Sequence, residues 1–348
     1  MKYNEYDTGA SISCSDMIRF LTRLLLLLAF SVALAVTAFA WWALRPLELP
    51  AERVDFTVTP GTGVRGIASQ LQQAGVDIDP RLFALLARGS GMDTQIKAGG
   101  YEATSADSVW RLLQRMAQGD MTHARITFIE GWTYRQIRDE LRRHPDIRQT
   151  LTDETDRGLL ERLGASATHP EGLFFPDTYS FAKGSADFDV LRRAYIALQQ
   201  QLEAAWQARA QDLPLASPYE LLVMASIVEK ETGHEPERTR ISGVFANRLR
   251  VGMPLQTDPT VIYGMGERYD GRITRQDLQT DTLWNTYTRR GLPPTPIASP
   301  GRASLMAAAQ PEQHKFYYFV SRGDGTSEFS TDLSTHNRHV SRYLRGGR

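Results

Sequence analysis

Residues 217–233 read SPYELLVMASIVEKETG and predict a helix that is buried along most of its length and ends in carboxylates. Ser217 suits the N-cap, Pro218 the first helical position, and Glu220 the third position of a capping box. The run LLVMASIV is apolar or small on every face, which indicates a helix inside a domain rather than on its surface. Such a helix decides the fold, because the remaining elements must pack around it.

The polar end of this helix is the candidate functional feature. Glu229, Lys230 and Glu231 occupy the last turn, and Gly233 is predicted to adopt the left-handed conformation after it. Ionised carboxylates are disfavoured at a helix C-terminus by up to about 1 kcal/mol, because the macrodipole is negative there. Partial burial and a negative neighbour also raise a carboxyl pKa, as a general acid near neutral pH requires. An ordinary solvated helix end is the alternative interpretation, since EKE is a common surface pattern.

Helical spacing alone does not choose between the two glutamates. Glu231 shares a face with Met224 and Ile227, while Glu229 lies on the adjacent face. Position along the axis favours Glu231, which stands at the mouth of the helix where a polymer could reach it. The hydroxyl of Thr232 follows it directly.

Length and composition restrict the class of protein. The chain has 348 residues, of which 23% are charged and 42% hydrophobic, and its formal net charge is zero. We therefore expect two or three folded units and no nucleic-acid partner. Seven His and one Cys, without a CxxC or HExxH pattern, predict no metal site, and no cofactor is expected.

An uncharged segment near the N-terminus predicts a single transmembrane helix. Residues 24–44 are long enough to cross about 30 Å of hydrocarbon and end near the pair Trp41 and Trp42. A cleaved signal peptide is the alternative, but the apolar run is too long and lacks a small-residue cleavage site. Residues 1–23 are then a cytoplasmic tail containing Cys14, and the rest lies outside the cytoplasmic membrane, free of Cys.

Residues 45–121 predict a short charged linker followed by a small α/β subdomain. Its pattern of strand, helix, helix and strand resembles the LysM module, a small binder of N-acetylglucosamine polymers. The segments 56–71 and 126–141 align without gaps, and the second copy begins a larger domain over 122–348. A spacer is the alternative role for the subdomain.

The larger domain is predicted to mix helices, loops and a hairpin. Residues 171–179, EGLFFPDTY, indicate a rigid, half-buried loop, because proline cannot lie inside a helix. Amphipathic helices are predicted over 191–210, 237–250 and 332–345, with a hairpin over 316–330.

Two polar loops are candidates for holding sugars. Sugar rings stack on flat apolar faces, and amides and hydroxyls bind at their edges. The loops 255–260 and 282–294 supply such residues, although the first also suits a simple connector. The predicted substrate-binding residues are Gln256, Thr257, Asp258, Asn285 and Tyr287.

Five motifs in one order resemble the endolytic murein transglycosylases of the YceG-like type. They are EGLFFPDTY (171–179), ASIVEKET (225–232), FANRLRVGMPLQTDPTVIYG (245–264), WNTYTRRGLPPTPIASPG (284–301) and FYYFVSRGDG with STHNRHV (316–340). The resemblance implies an α+β protein of the inner membrane with a single N-terminal transmembrane helix, a LysM-like subdomain and a periplasmic catalytic domain. The expected reaction cuts peptidoglycan between N-acetylmuramic acid and N-acetylglucosamine without water, leaving a 1,6-anhydro end. This would terminate nascent glycan strands, with peptidoglycan synthases as further partners.

The resemblance also assigns roles within the motif. The family's essential acid corresponds to Glu231, and Thr232 follows it as Ser follows Glu in other lytic transglycosylases. Glu229 is expected to tune this acid or to pair with Arg238 or Arg248. The hairpin reads SEFS where relatives often have a His before the Phe, so no role of that His transfers. A non-catalytic wall-binding anchor and a hydrolase that uses both glutamates remain the alternatives.

Overall fold

The computed structural model describes residues 14–345, and the chain divides into two compact units at Thr122 and His123. Both units combine helices with two-stranded antiparallel sheets. The predicted α+β class is therefore confirmed.

The first unit begins with a long apolar helix, α1 (Cys14–Leu44). The 26 residues Arg19–Leu44 are apolar and long enough to span a membrane, and their most apolar window has a mean hydropathy of 2.4. Residues 1–13 of the predicted tail lie outside the described residues. Residues 14–23 are helical rather than irregular, because neither Pro nor Gly interrupts the chain there.

The body of the first unit is a small sheet covered by helices. The strands are β1 (Arg53–Val58) and β2 (Gly99–Thr104), and the helices are α2 (Val64–Gln73), α3 (Pro80–Gly89) and α4 (Val109–Gln118). Alternate residues of β1 are buried, as its period of two predicts. The side chain of Asp79 caps α3 by accepting hydrogen bonds from two backbone N–H groups.

The sequence predicts a linker at 45–53. In the structure this segment belongs to the fold of the first unit and is not a free linker. The N–H of Leu47 donates to the carbonyl of Asp107 at 2.8 Å, and the Leu47 side chain is buried. The C-terminal end of α1 also takes part in this core, because Ala43 is buried in it and the partly buried Phe39 and Trp42 pack against it. Charged neighbours separate these apolar residues in the sequence, so no periodic pattern indicated that the segment is folded. Helix α1 therefore continues into the first unit without a flexible joint.

The second unit contains two antiparallel strand pairs and nine helices within the described residues. The strands are β3 (His123–Thr127), β4 (Thr178–Ala182), β5 (Tyr318–Ser321) and β6 (Ser327–Ser330), with β3 pairing β4 and β5 pairing β6. The helices are α5 (Tyr134–Arg143), α6 (Asp156–Leu163), α7 (Asp187–Gln207), α8 (Pro218–Glu231), α9 (Arg238–Arg250), α10 (Asp258–Met265), α11 (Arg275–Gln279), α12 (Arg302–Ala309) and α13 (Leu333–Val340).

Helix α8 is the buried helix that the sequence predicted, and it lies in the centre of this unit. Every residue from Leu221 to Val228 is buried, and α7, α9, α10 and α12 pack against the helix. Its one polar side chain in that stretch, Ser226, accepts a hydrogen bond from the N–H of Ile297 at 3.0 Å. Ser217 caps the start by accepting from the N–H of Glu220.

The end of α8 differs from the prediction. Thr232 is extended, with φ −144°, and its hydroxyl accepts a hydrogen bond from the N–H of His234 at 2.9 Å. Gly233 does not have a positive φ, so the predicted left-handed cap is wrong. The side chain of Thr232 turns the chain here, and a glycine cap is therefore not required.

Candidate active site

The carboxyl of Glu231 is held at the C-terminal end of α8 by the loop that follows α9. Its Oε2 accepts a hydrogen bond from the hydroxyl of Thr257 at 2.5 Å. Because α8 is packed on all sides, the position of this carboxyl is fixed by the core of the unit. The side chain is half-buried, as expected for a residue that lines a cleft.

A cavity of about 570 Å³ opens beside Glu231. One wall is the segment Glu231–His234, and the other is formed by the hairpin of β5 and β6. Apolar and polar side chains alternate around it, and they include Ile241, Phe319, Val320, Ser321, Thr326 and Ser327. Its volume lies in the range of small-molecule sites, and the mixed lining suits a sugar, which has apolar faces and hydroxyl edges.

The surroundings of Glu231 favour its protonated form. Burial raises the pKa of this carboxyl, the hydrogen bond from Thr257 lowers it, the charge of Asp258 raises it, and the charge of Arg248 lowers it. The largest of these effects is burial, so the net direction is upward. Glu231 can therefore carry a proton at a higher pH than an exposed glutamate, which is what a general acid needs.

Glu229 points to a different neighbour from Glu231. Its Oε2 accepts a hydrogen bond from the N–H of Gly301, the residue that precedes α12, at 2.9 Å. Glu130 lies close to the same glycine, and its pKa is raised by burial and by the charge of Glu229, while Arg238 lowers it. Neither predicted arginine pairs with Glu229 among the described residues. The charge of Arg238 instead lowers the pKa of Glu130, and the charge of Arg248 lowers the pKa of Glu231.

The loop 255–258 presents three of the predicted substrate-binding residues at this site. Gln256 is exposed and has φ 51°, the one positive φ outside glycine in residues 14–345. Backbone strain of this kind occurs most often at functional sites. Thr257 contacts Glu231, and Asp258 accepts a hydrogen bond from the hydroxyl of Tyr287 at 2.6 Å. The structure thus brings Gln256, Thr257, Asp258 and Tyr287 together near Glu231.

Asn285 does not face the site. Its side chain is 1% exposed, its amide donates to three backbone carbonyls, and its carbonyl accepts from the N–H of Tyr287. The predicted sugar contact is therefore replaced by an internal one, because a side chain with its hydrogen-bonding capacity used inside a loop braces that loop. Thr257 is similarly buried, and its hydroxyl serves Glu231 rather than the surface.

The sequence interpretation missed two parts of the site. The β5–β6 hairpin was predicted as an element but not as a wall of the cleft. Arg248 was one of two arginines expected to pair with Glu229, yet its charge acts on Glu231 and its guanidinium lies over the ring of Tyr318. The aromatic run FYYFV was the available signal for the wall, since half-buried aromatic strands often line sugar sites.

Comparison with known proteins assigns the family. The YceG-like family profile matches residues 56–342, which is most of the chain. The chain belongs to the YceG-like family. Within it, an endolytic murein transglycosylase of Bacillus subtilis is 30% identical over 319 residues, covering 86% of this chain and 88% of that protein.

Two other YceG-like relatives agree with this result. An endolytic murein transglycosylase of Streptococcus pneumoniae is 26% identical over 87% of this chain and 60% of its own length. A crystal structure of a YceG-like protein from Listeria monocytogenes is 27% identical, has a TM-score of 0.52, and covers 83% of this chain and 99% of that one. The YceG-like fold described above is therefore shared with a solved relative.

Proposed function

We propose that the protein is a membrane-anchored endolytic lytic transglycosylase that cuts peptidoglycan glycan strands with Glu231 as its acid and base. One observation carries the proposal. The carboxyl of Glu231, on the helix that forms the core of the unit, lines a cavity of sugar-binding size, and burial raises the pKa of that carboxyl. The names of the relatives support the same substrate and reaction class.

The reaction needs one carboxyl because the sugar supplies its own nucleophile. Protonated Glu231 gives its proton to the glycosidic oxygen while the bond from that oxygen to C1 of the muramoyl residue breaks. The C6 hydroxyl of the same residue then forms a bond to C1, and Glu231 as a carboxylate accepts the proton of that hydroxyl. No water is consumed, and the carboxyl is protonated again at the end.

The arrangement of the other groups supports assisting roles. Thr257 orients the carboxyl, and Thr232 fixes the turn that follows it. Gln256, Asp258 and Tyr287 would bind the edges of the sugars, together with the side chains of the β5–β6 hairpin that line the cavity. Glu229 keeps a supporting role, which is to hold the start of α12 against the end of α8.

We further propose the division of labour between the units. The first unit would bind glycan in the manner of a LysM module, and α1 would anchor the protein in the cytoplasmic membrane with both units outside. Peptidoglycan synthases are the partners that would supply the nascent strands.

Hydrolysis is the second candidate reaction, and the structure alters how it would occur. A hydrolase needs a second carboxylate near the acid. Glu229 is occupied at Gly301, whereas Asp258 follows Thr257 directly and its charge acts on Glu231. A muramidase in this site would therefore use Asp258 and not Glu229.

Mass spectrometry of the products decides between these functions. The full chain in detergent is incubated with isolated glycan strands, and Glu231→Gln and Glu229→Gln serve as test and matched control. We expect anhydro ends, which are lighter than reducing ends by one water, with at least a roughly 100-fold loss in Glu231→Gln and at most about a tenfold loss in Glu229→Gln. Reducing ends that disappear in Asp258→Asn would support the hydrolase, and intact glycan would support a non-catalytic anchor.

A further inference from the structure

Arg248 is a buried arginine that joins the chain just before Thr257 to the chain just before strand β5. It lies on α9 and is 7% exposed. Its Nε donates to the carbonyl of Tyr317 at 2.7 Å, at the start of the β5 wall. Its Nη1 donates to the carbonyls of Pro254 and Leu255 at 3.2 and 2.7 Å, just before the loop that carries Thr257.

Among the described residues, the guanidinium forms hydrogen bonds through Nε and Nη1 and no direct ion pair. Its described hydrogen bonds all end on backbone carbonyl oxygens, and the ring of Tyr318 lies 5.2 Å from it. Burying a cation is costly unless a negative charge lies near it. Burial lowers the pKa of Arg248, whereas Tyr318, Tyr287 and Glu231 raise it, and Glu231 is the one carboxyl among these three neighbours.

We propose that Arg248 is a positioning residue that clamps the Thr257 loop to strand β5 and provides the positive charge that the ionised Glu231 faces. This inference rests on the proposed function. In the first half of the reaction Glu231 becomes negative, and the fixed charge of Arg248 stabilises that state without a direct contact that would block the sugar. It thereby keeps Glu231 able to act as an acid and then as a base.

Two separate consequences follow from the clamp and from the charge. Without the hydrogen bonds of Arg248, the Thr257 loop and the β5–β6 hairpin are held less firmly. This weakens substrate binding and misplaces Thr257. Loss of the charge disfavours the carboxylate, so that Glu231 stays protonated to a higher pH. The other titratable and charged groups around Glu231 and Arg248 come from five neighbouring segments, and they are His234, Asp258, Tyr287, Tyr318 and His336.

The test titrates Glu231 directly, without using activity. A water-soluble carbodiimide reacts with protonated carboxyls, so labelling of Glu231 against pH, mapped by peptide mass spectrometry, gives its titration midpoint. The full chain in detergent is compared as wild type, Arg248→Met, Arg248→Lys and Arg250→Met. Arg250 is the matched control, because it lies on the same helix but pairs with Asp212, away from the cavity.

We expect Arg248→Met to raise the labelling midpoint of Glu231 by about half a unit to one unit. Arg248→Lys and Arg250→Met should keep the wild-type midpoint. Arg248→Lys should nevertheless raise KM or lower kcat, because an ammonium cannot reach all three carbonyls at once. Should Arg248→Met not fold, Arg248→Gln, which still donates to a carbonyl, takes its place.

The outcomes separate this inference from the proposed function. An unchanged midpoint in Arg248→Met or Arg248→Gln overturns the role of the charge, and full activity of Arg248→Lys overturns the clamp. The midpoint could rise in Arg248→Met while the wild-type protein yields no anhydro ends. That result would support the role of the charge and refute the transglycosylase proposal.

Discussion

Thr257 and Glu231 share the shortest contact of the site, and it shows how a single hydroxyl can set the chemistry of a carboxyl. A donor to the carboxylate favours its ionised form and opposes the effect of burial. Polar composition had predicted Thr257 as a sugar contact. The sequence could not reveal its partner, because the two residues lie 26 positions apart.

Thr257→Val tests this contact at nearly constant volume. The variant loses the donor, so the pKa of Glu231 should rise and the alkaline limb of the pH–rate profile should move upward. Because the carboxyl also loses the contact that orients it, we expect about a tenfold loss of kcat on the acidic side of that limb, where Glu231 is protonated in both proteins. Thr257→Ser, which keeps a hydroxyl, should retain most of the activity, and a Val variant with an unchanged profile would contradict the assignment.

Gln256 allows a second prediction. Substitutions at this position can separate the effect of its strained backbone on stability from the effect of its exposed side chain on activity. Gln256→Gly removes the side chain and relieves the positive φ, so it should increase the free energy of unfolding by about 1 kcal/mol. If Gln256 binds sugar as proposed, activity should fall at least about tenfold, because the amide that would contact the sugar is lost. Gln256→Asn, which tolerates a positive φ and keeps an amide, is the control, and a stabilised Gly variant with full kcat/KM would remove Gln256 from the binding site.

Among the elements, α8 was predicted almost completely, and the reasons lie in its sequence. Ser217 and Pro218 specify its start, and its apolar run specifies burial on all faces. Its surroundings were less predictable. The wall formed by β5 and β6 comes from residues far along the chain, and Asn285 shows that loop composition does not distinguish a sugar contact from an internal brace.

The loop at Glu171 gives an element-scale prediction about pH. This buried carboxyl joins α5 and α10 by accepting from the N–H of Tyr134 and the hydroxyl of Tyr263. Burial raises the pKa of Glu171 from 4.5 to about 7. Between those values the folded state binds a proton that the unfolded state has lost, so the free energy of unfolding should fall as pH rises, by at most about 3 kcal/mol.

Glu171→Gln should remove that part of the pH dependence. The unfolding midpoint of the full chain in detergent is measured at pH 5 and pH 7.5 for wild type, Glu171→Gln and Glu161→Gln. Glu161 is exposed on α6 and pairs with Arg157, so its variant should keep the wild-type slope. Equal slopes in all three proteins would show that Glu171 does not titrate in this range.

At the scale of the whole molecule, charge does not determine the proposed orientation across the membrane. Arg19 and Arg23 precede the apolar segment and Arg45 and Arg53 follow it, so the positive-inside signal is weak. The proposed orientation rests instead on the proposed substrate, because peptidoglycan lies outside the cytoplasmic membrane. A reporter fused after Arg348 should be active only where periplasmic reporters are active, and activity restricted to the cytoplasm would reverse the proposed topology.

The packing of Phe39, Trp42 and Ala43 into the core of the first unit has a mechanical consequence once α1 crosses a bilayer. Apolar helices tilt when the hydrocarbon layer is thinner than their apolar length. Because α1 enters this unit without a flexible joint, any tilt of the helix becomes a rotation of the unit above the lipid surface. A change in membrane thickness would then change the angle between the first unit and the glycan strand that we propose it binds.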